Sequence, residues 1–281
     1  MNYTTLVDTE TLASNLASGW CLFDCRFVLN QPQEGERRYR TSHIPGAHYL
    51  HLDRDLAGPV TPESGRHPLP VPEILAEKLR KTGVSDTSQI VAYDDAGGVF
   101  SARLWWLLRW LGHPQVAVLD GGIDKWLKEN RPVSQDLSVV VPEGDFQPRP
   151  DDGRWVDSDF VATRSKQHSG WLLDARTSSR FRGDEEPIDP VAGHVPGAVN
   201  LPYVGNVSDN GSLKSPRALK QRFEAALGGI SPGDSACMCG SGVTACHNLL
   251  AMEVAGLKGS RLYAGSWSEW IRDPSHPIEC G

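Results

Sequence analysis

Cys239 is the residue whose type and surroundings are best suited to chemistry, in the segment Met238-Cys-Gly-Ser-Gly-Val-Thr244. The apolar residues before it predict a buried strand ending near Met238, and a helix is predicted from about Ala245. Because the loop between them contains two glycines, several backbone N–H groups can converge on the cysteine at the positive end of the helix. Such a loop stabilises an anion and favours the thiolate form of a cysteine. Cys239 is therefore the predicted nucleophile.

An internal repeat favours this role over the alternative, a core cysteine followed by a glycine turn. Four motifs recur in the same order at an offset of about 145–150 residues, roughly one domain per copy. The paired motifs are Cys21–Arg26 with Trp171–Arg176, Ser42–Tyr49 with Gly193–Asn200, Val91–Asp95 with Ala236–Gly240, and Leu119–Trp126 with Tyr263–Trp270. At the loop position the first copy carries Asp94 and the second carries Cys239. We therefore predict one chemical site, in the second copy, and an inactive first copy.

Strands and helices alternate along both copies, as in the buried strand Gln89–Asp94 and the Trp/Leu-rich helix Ser101–Leu111. This alternation predicts an α/β fold with parallel sheets. A stretch rich in Pro, Gly and Asp separates the copies and is typical of a linker. We predict two tandem domains, each a parallel sheet flanked by helices: an inactive domain over residues 1–140, a linker over 141–154 and a catalytic domain over 155–281.

Composition limits the partners. The chain has 281 residues, 39% of them hydrophobic, and this length is enough for two modest domains. A net charge of −7 argues against nucleic acid or an anionic membrane as a partner. With no secretory signal, no long apolar run and no disulfide framework among the six cysteines, we expect a cytoplasmic location. Neither zinc-like spacing nor a nucleotide-binding glycine motif occurs, so we expect no metal and no cofactor.

The paired motifs resemble those of the tandem rhodanese-domain sulfurtransferases, over nearly the whole chain. They are His-Ile/Val-Pro-Gly-Ala after Ser42 and Gly193, the glycine-to-tryptophan motif ending at Trp126 and Trp270, and the Cys239–Thr244 loop. The resemblance implies two rhodanese-like domains and a Cys239 that carries sulfur as a persulfide from a small donor to a thiol or cyanide acceptor. It implies donor binding and anion stabilisation by the loop residues Gly240, Gly242, Val243 and Thr244.

The identity of the donor depends on the loop and on two arginines. The loop is similar to that of the family members that use 3-mercaptopyruvate, whereas those that use thiosulfate usually carry a basic residue directly after the cysteine. The resemblance assigns Arg180 to the donor carboxylate, which an arginine can bind in a bidentate manner. The family's second arginine falls at Asp189, where a carboxylate would repel an anionic donor, so either Arg182 replaces it or the donor differs. We expect 3-mercaptopyruvate, with thiosulfate as the alternative.

A second set of residues follows from the same resemblance. Asp53, His67 and Ser241 match an Asp–His–Ser relay that could polarise the donor carbonyl or deliver a proton as pyruvate leaves. The alternative is a turn cap, a surface histidine and a loop hydroxyl without a shared role.

Other functions are less well supported by the residues. A cysteine phosphatase needs an arginine six residues after its cysteine, where this chain has Ala245. A non-catalytic sulfur carrier or regulatory protein is disfavoured by the intact loop, and a cyanide-dependent thiocyanate assay would distinguish it. Cys237, on the same strand face as Cys239, is expected to be a core residue, and the alternative is a disulfide or trisulfide with Cys239 under oxidation.

Overall fold

The structure, a computed structural model, describes residues 2–137 and 141–281. These residues form two compact units. The first contains the described residues of Met1–Gly58, Pro70–Asp151 and Ser208–Leu213, and the second contains Pro59–Leu69, Asp152–Val207 and Lys214–Gly281. The second unit thus includes a short segment from the first half of the sequence, and that segment carries Arg66 and His67.

The first unit contains a five-stranded parallel sheet in the order β1-β5-β4-β2-β3. Its strands are β1 (Leu6–Val7), β2 (Cys21–Asp24), β3 (Ala47–Tyr49), β4 (Ile90–Tyr93) and β5 (Val116–Leu119). Its helices are α1 (Thr9–Ser14), α2 (Glu34–Thr41), α3 (Leu52–Asp55), α4 (Pro72–Lys81), α5 (Val99–Trp110) and α6 (Gly122–Lys128).

The second unit repeats this topology with a parallel sheet in the order β6-β10-β9-β7-β8. Its strands are β6 (Trp155–Val156), β7 (Leu172–Asp174), β8 (Val199–Asn200), β9 (Ala236–Met238) and β10 (Arg261–Tyr263). Its helices are α7 (Ser158–Ser165), α8 (Ser178–Arg182), α9 (Pro216–Leu227), α10 (Thr244–Val254) and α11 (Ser266–Trp270), with 3-10 turns at Asp152–Arg154, Tyr203–Asn206 and Pro232–Asp234. The two equivalent sheets confirm the predicted tandem α/β fold.

Each sheet places one residue of interest near the middle of its carboxyl edge: Asp94 after β4 in the first sheet and Cys239 after β9 in the second. The strands β4 and β9 are entirely buried and have a strand on either side. Because parallel strands end at a common edge, the loops after β4 and β9 emerge beside those of their neighbours. The sequence therefore brings Asp94 and Cys239 to the position at which open parallel sheets bind ligands.

The predicted elements differ from the observed ones mainly at helix starts. The sequence predicts helix α5 from Ser101, but it begins at Val99, because the side chain of Asp94 accepts hydrogen bonds from the N–H groups of Phe100 and Ser101 in its first turn. The predicted domain boundaries stay a prediction, and the end of the first domain at residue 140 lies outside the described residues. None of the helices in the described part of the chain has the length and apolar character needed to cross a bilayer.

Candidate active site

Cys239 follows directly after β9, and its loop ends where α10 begins at Thr244. The Sγ atom of Cys239 accepts a hydrogen bond from the N–H of Gly242 at 3.1 Å, and the residue is 2% exposed. A backbone N–H directed at the sulfur stabilises negative charge on it. The strand, the loop and the helix therefore occupy the positions that the sequence predicts, and the loop wraps around the sulfur.

The tight course of this loop depends on Gly242. Its φ is +78°, and a Cβ on it would lie 2.4 Å from the carbonyl oxygen of Ala264. Any larger residue would therefore push the loop away from the segment after β10. Val243 is buried directly before α10, and Thr244 is the first residue of that helix.

The first turn of α11 holds the backbone of Cys239. The N–H of Cys239 donates to Ser266 Oγ at 3.1 Å, and Ser266 Oγ donates to the carbonyl of Tyr263 at 2.9 Å. The carbonyl of Cys239 accepts from the N–H of Trp267 at 3.0 Å. Ser266 is fully buried with a φ of +54°, a left-handed conformation that is unfavourable for any residue with a Cβ. The peptide groups on both sides of Cys239 are thus fixed by one turn.

Arg180, the predicted ligand of the donor carboxylate, lies in α8 and is held by two buried carboxylates. Its Nε donates to Glu186 Oε1 at 3.0 Å, and its Nη2 donates to Asp189 Oδ2 at 3.1 Å. A Cβ on Gly240 would lie 3.4 Å from both terminal nitrogens of Arg180. The guanidinium therefore packs against the residue that follows Cys239 while part of its charge is neutralised.

The carboxylate of Asp189, expected from the sequence to repel an anionic donor, lies beside two arginines. It is 8% exposed and forms ion pairs with both Arg180 and Arg66. Burial raises the pKa of the Asp189 carboxyl above its ordinary value, and the positive charge of Arg66 opposes that rise. The expected repulsion of an anionic donor is therefore offset, because this carboxylate is the counter-ion of two guanidinium groups.

Arg182, the alternative second cation, lies elsewhere. It pairs with Asp184 at 2.7 Å, and both side chains are about half exposed. Such an exposed ion pair contributes little to the stability of the fold, in general about 1 kcal/mol or less. Arg66, directly before His67, contributes the guanidinium that packs against Gly240 beside Arg180.

Two of the three predicted relay residues are in hydrogen-bond contact. His67 Nδ1 lies 2.7 Å from Ser241 Oγ, and both residues are buried. His67 is therefore not a surface histidine. Asp53 belongs to the other compact unit, where it lies in α3 and its backbone N–H donates to His51 Nδ1 at 3.1 Å. Its part in a relay stays a prediction.

The equivalent loop of the first unit is occupied by the chain's own carboxylate. Asp94 Oδ1 accepts from the N–H groups of Ala96 and Gly98 at 2.8 and 2.9 Å. Asp94 Oδ2 accepts from the N–H groups of Phe100 and Ser101 at 2.9 and 2.8 Å, and from Ser101 Oγ at 2.8 Å. A loop of this design thus binds an anion, and in the first copy the anion is a fixed side chain.

The other cysteines near the site are core residues. The Sγ of Cys237 lies 3.9 Å from Met252 Sδ, and burial raises its pKa to about 12. Cys246 Sγ donates to the carbonyl of Gly242 at 3.2 Å. Across residues 2–137 and 141–281, no group of His, Cys, Asp or Glu side chains is arranged to hold a metal ion.

Two residues of the site were missed by the sequence analysis. Arg66 stands in the same motif as His67, so its position next to a candidate relay residue was an available signal. Ser266 lies in a repeated motif in which the first copy has Gly122 at the equivalent position, with a φ of +58°. Glycine adopts this left-handed conformation at little cost, whereas serine does not. A serine at the position where the other copy has glycine therefore indicates that its side chain has a role.

Comparison with known proteins agrees with the two-copy fold. The rhodanese-like domain family matches residues 8–129 and 159–273. A Pseudomonas aeruginosa protein named "Probable 3-mercaptopyruvate sulfurtransferase" is 46% identical over 284 residues, covering 100% of both chains. The thiosulfate sulfurtransferase of Bos taurus is 31% identical, covering 96% of this chain and 92% of its own.

A solved structure of a related protein has a similar fold. The 3-mercaptopyruvate sulfurtransferase from Leishmania major superposes with a TM-score of 0.85 at 26% identity, covering 96% of this chain and 76% of its own. The chain belongs to the rhodanese family, with two copies of the domain in tandem. It is an enzyme of the sulfurtransferase class.

Proposed function

We propose that the chain transfers sulfur from 3-mercaptopyruvate, through a persulfide on Cys239, to a thiol or cyanide acceptor. The observation that carries the choice of donor is the 2.7 Å contact between His67 Nδ1 and Ser241 Oγ, two residues after the nucleophile. Loss of sulfur from 3-mercaptopyruvate leaves a pyruvate enolate, which must be stabilised and protonated. Loss of sulfur from thiosulfate leaves sulfite, a stable anion that needs no proton from the enzyme.

The first half-reaction forms a sulfur–sulfur bond and breaks a carbon–sulfur bond. The Cys239 thiolate attacks the sulfur of the donor, the C–S electron pair moves to carbon, and pyruvate leaves as its enolate. Ser241 Oγ donates a proton to that enolate, and His67 Nδ1 returns a proton to the serine. The N–H groups of the loop stabilise the charge on sulfur before and after transfer.

The second half-reaction regenerates the thiolate. The persulfide loses its proton, the acceptor attacks the outer sulfur, and the S–S electron pair returns to Sγ of Cys239. A cyanide acceptor leaves as thiocyanate, and a thiol acceptor leaves as a persulfide. The two displacements form a ping-pong sequence.

Thiosulfate is the second candidate donor. The bovine relative named a thiosulfate sulfurtransferase favours it, as does Asp189 at the position of the family's second arginine. Thiosulfate is a small dianion, so the loop N–H groups and Arg180 would suffice to bind it without a second cation.

The test compares kcat/KM for the two donors in the wild type and in Ser241→Ala, with cyanide as acceptor. We expect the wild type to prefer 3-mercaptopyruvate. The substitution should lower kcat for that donor about 100-fold, within the usual range for general acid catalysis, and change thiosulfate turnover little. Thiosulfate turnover by the same variant controls for misfolding. A wild type that prefers thiosulfate, or equal losses on both donors, would contradict the proposal.

We further propose a cytoplasmic location. All six cysteines have free thiols, which supports a reducing compartment. Recovery of the protein in a secreted or periplasmic fraction of the source cells would exclude this location.

A further inference from the structure

Ser268, in α11, forms hydrogen bonds with two segments that are far apart in the sequence. Its N–H donates to the carbonyl of Gly240 at 2.9 Å. Its Oγ accepts from the N–H of Arg66 at 3.0 Å and donates to the carbonyl of Gly265 at 3.4 Å. The serine is buried, so these protein groups rather than bulk water fix its hydroxyl. One residue thus connects the nucleophile loop with the segment that carries His67.

These contacts close a ring around the pair that transfers a proton. Gly240 is covalently bonded to Ser241, and Arg66 is covalently bonded to His67. Ser241 Oγ and His67 Nδ1 are 2.7 Å apart on one side of the ring. Ser268 joins Gly240 to Arg66 on the other side. Because the ring contains only five residues, the position of Ser268 determines how closely His67 approaches Ser241.

The segment before His67 lies directly on the first turn of α11. A Cβ on Gly65 would lie 2.5 Å from the carbonyl oxygen of Gly265 and 2.9 Å from Ser268 Oγ. Only glycine permits this approach without displacing the backbone. The segment is therefore held by close packing at residue 65 and by a hydrogen bond at residue 66.

The first unit contains a similar connection made by a different residue. Asp120, directly after β5, accepts a hydrogen bond on Oδ1 from the N–H of Leu213 at 2.8 Å. Leu213 belongs to the short segment Ser208–Leu213, which comes from the second half of the sequence. In each unit a side chain that follows the same strand of the sheet thus binds the backbone of a segment from the other half. In the second unit that side chain is Ser268, and the bound segment carries His67.

We propose that Ser268 is a positioning residue for proton transfer, which holds the backbone of Arg66 so that His67 stays within hydrogen-bond distance of Ser241. A misplacement of about 1 Å between reacting groups can lower a rate about 100-fold, so a hydrogen bond one residue away from His67 affects the chemical step. The inference rests on the proposed function, because proton delivery by Ser241 belongs to turnover of 3-mercaptopyruvate and not of thiosulfate.

The first test measures kcat for both donors in Ser268→Ala, with cyanide as acceptor. This change removes the acceptor of the Arg66 N–H and keeps the backbone bond to Gly240. We expect kcat for 3-mercaptopyruvate to fall about 10-fold, because His67 moves away from the loop, with little change in kcat for thiosulfate. The matched control is Ser235→Ala, a buried serine directly before β9 whose Oγ donates to the carbonyl of Pro232 at 2.8 Å. Its ratio of the two kcat values should equal that of the wild type.

A double-mutant cycle separates positioning from a general structural role. If Ser268 acts through the pair of His67 and Ser241, then Ser268→Ala should cause little further loss of kcat for 3-mercaptopyruvate in the Ser241→Ala background. The conservative variant Ser268→Thr keeps the hydroxyl and should retain most of the wild-type kcat. Losses that multiply in the double variant would overturn the proposal.

A second variant displaces the same segment and leaves Ser268 intact. Gly65→Ala places a methyl group against the carbonyl of Gly265, so it should also lower kcat for 3-mercaptopyruvate and spare kcat for thiosulfate. This variant decides the question if Ser268→Ala does not fold. Equal losses on both donors in Gly65→Ala would make the contact a structural one and overturn the inference.

The outcomes also distinguish this inference from the function on which it rests. A wild type that does not turn over 3-mercaptopyruvate, or a Ser241→Ala variant without a donor-selective loss, would refute the proposed function. If both behave as expected and Ser268→Ala keeps the wild-type kcat for 3-mercaptopyruvate, only the role of Ser268 is refuted.

Discussion

Ser266 combines an unfavourable backbone conformation with a hydrogen bond to the backbone of Cys239. Its left-handed φ costs about 1–2 kcal/mol in a residue with a Cβ, and its Oγ is the acceptor for the N–H of Cys239. The equivalent Gly122 has the same backbone without that cost. Strain of this kind persists where the surrounding structure holds the residue in place, and it is common near functional sites. The function here is to fix the peptide group that precedes the Cys239 side chain.

We predict that Ser266→Gly and Ser266→Ala both lower kcat, because both remove the acceptor of the Cys239 N–H. Only the glycine variant relieves the backbone strain, so its free energy of unfolding should exceed that of the alanine variant by about 1 kcal/mol. Urea unfolding and steady-state rates with cyanide measure the two effects. Equal stabilities of the two variants would show that φ at this position is not a source of strain.

At the scale of elements, the first turn of α5 depends on the carboxylate of Asp94. Four N–H groups and one hydroxyl donate to it, and these include the N–H groups that the start of a helix leaves without a backbone partner. The Asp94 side chain therefore caps the start of α5 and also accepts hydrogen bonds from the preceding loop. These hydrogen bonds fix the shape of the loop in the first copy.

We predict that Asp94→Ala lowers the free energy of unfolding by about 3 kcal/mol or more, because it leaves several donors unsatisfied. The matched control is Asp95→Ala. Asp95 pairs at 2.7 Å with Arg38, whose side chain is 42% exposed, so its loss should cost about 1 kcal/mol or less. Chemical denaturation of both variants measures the difference. Similar losses in the two variants would contradict the assigned role of the Asp94 carboxylate.

The elements were largely predictable from the sequence, whereas the contacts between segments were not. Alternating buried strands and helices gave both sheets, and the repeated motifs gave their equivalence. The pairing of Asp189 with Arg66 joins residues 123 positions apart in the sequence. No local pattern encodes such a contact, so the acid at 189 was expected to repel the donor rather than to hold a cation. The early start of α5 was missed because a side-chain cap from Asp94 does not change the apolar spacing.

At the scale of the whole chain, duplication gave two sheets of the same order, and the equivalent loops carry Asp94 in the first copy and Cys239 in the second. Two other buried cysteines, Cys25 and Cys237, are poor competitors for sulfur. Burial raises the pKa of Cys25 well above its ordinary value and that of Cys237 to about 12, so both stay protonated near neutral pH. The thiolate is the attacking form of a cysteine. We therefore expect one transferable sulfur per chain, on Cys239.

We predict that incubation with 3-mercaptopyruvate in the absence of an acceptor adds the mass of one sulfur atom per chain. The variant Cys239→Ser should add none and should show no turnover with any donor. The control is Cys280→Ser, which removes the exposed cysteine and should load like the wild type. Intact-mass spectrometry measures the addition. Sulfur retained by Cys239→Ser would move the reactive centre to another cysteine.

The carboxylate of Asp94 has the same connectivity as a cysteine that carries an extra sulfur. An Oδ atom stands two bonds beyond Cβ, as the outer sulfur of a persulfide does, and both groups are anionic. Because Asp94 and Cys239 occupy equivalent positions, the donors to Asp94 at residues 96, 98 and 100 correspond to the amides of Ser241, Val243 and Ala245. The Asp94 carboxylate thus has the shape and charge that we expect of a persulfide on Cys239, and we expect the amides of Ser241, Val243 and Ala245 to bind the outer sulfur.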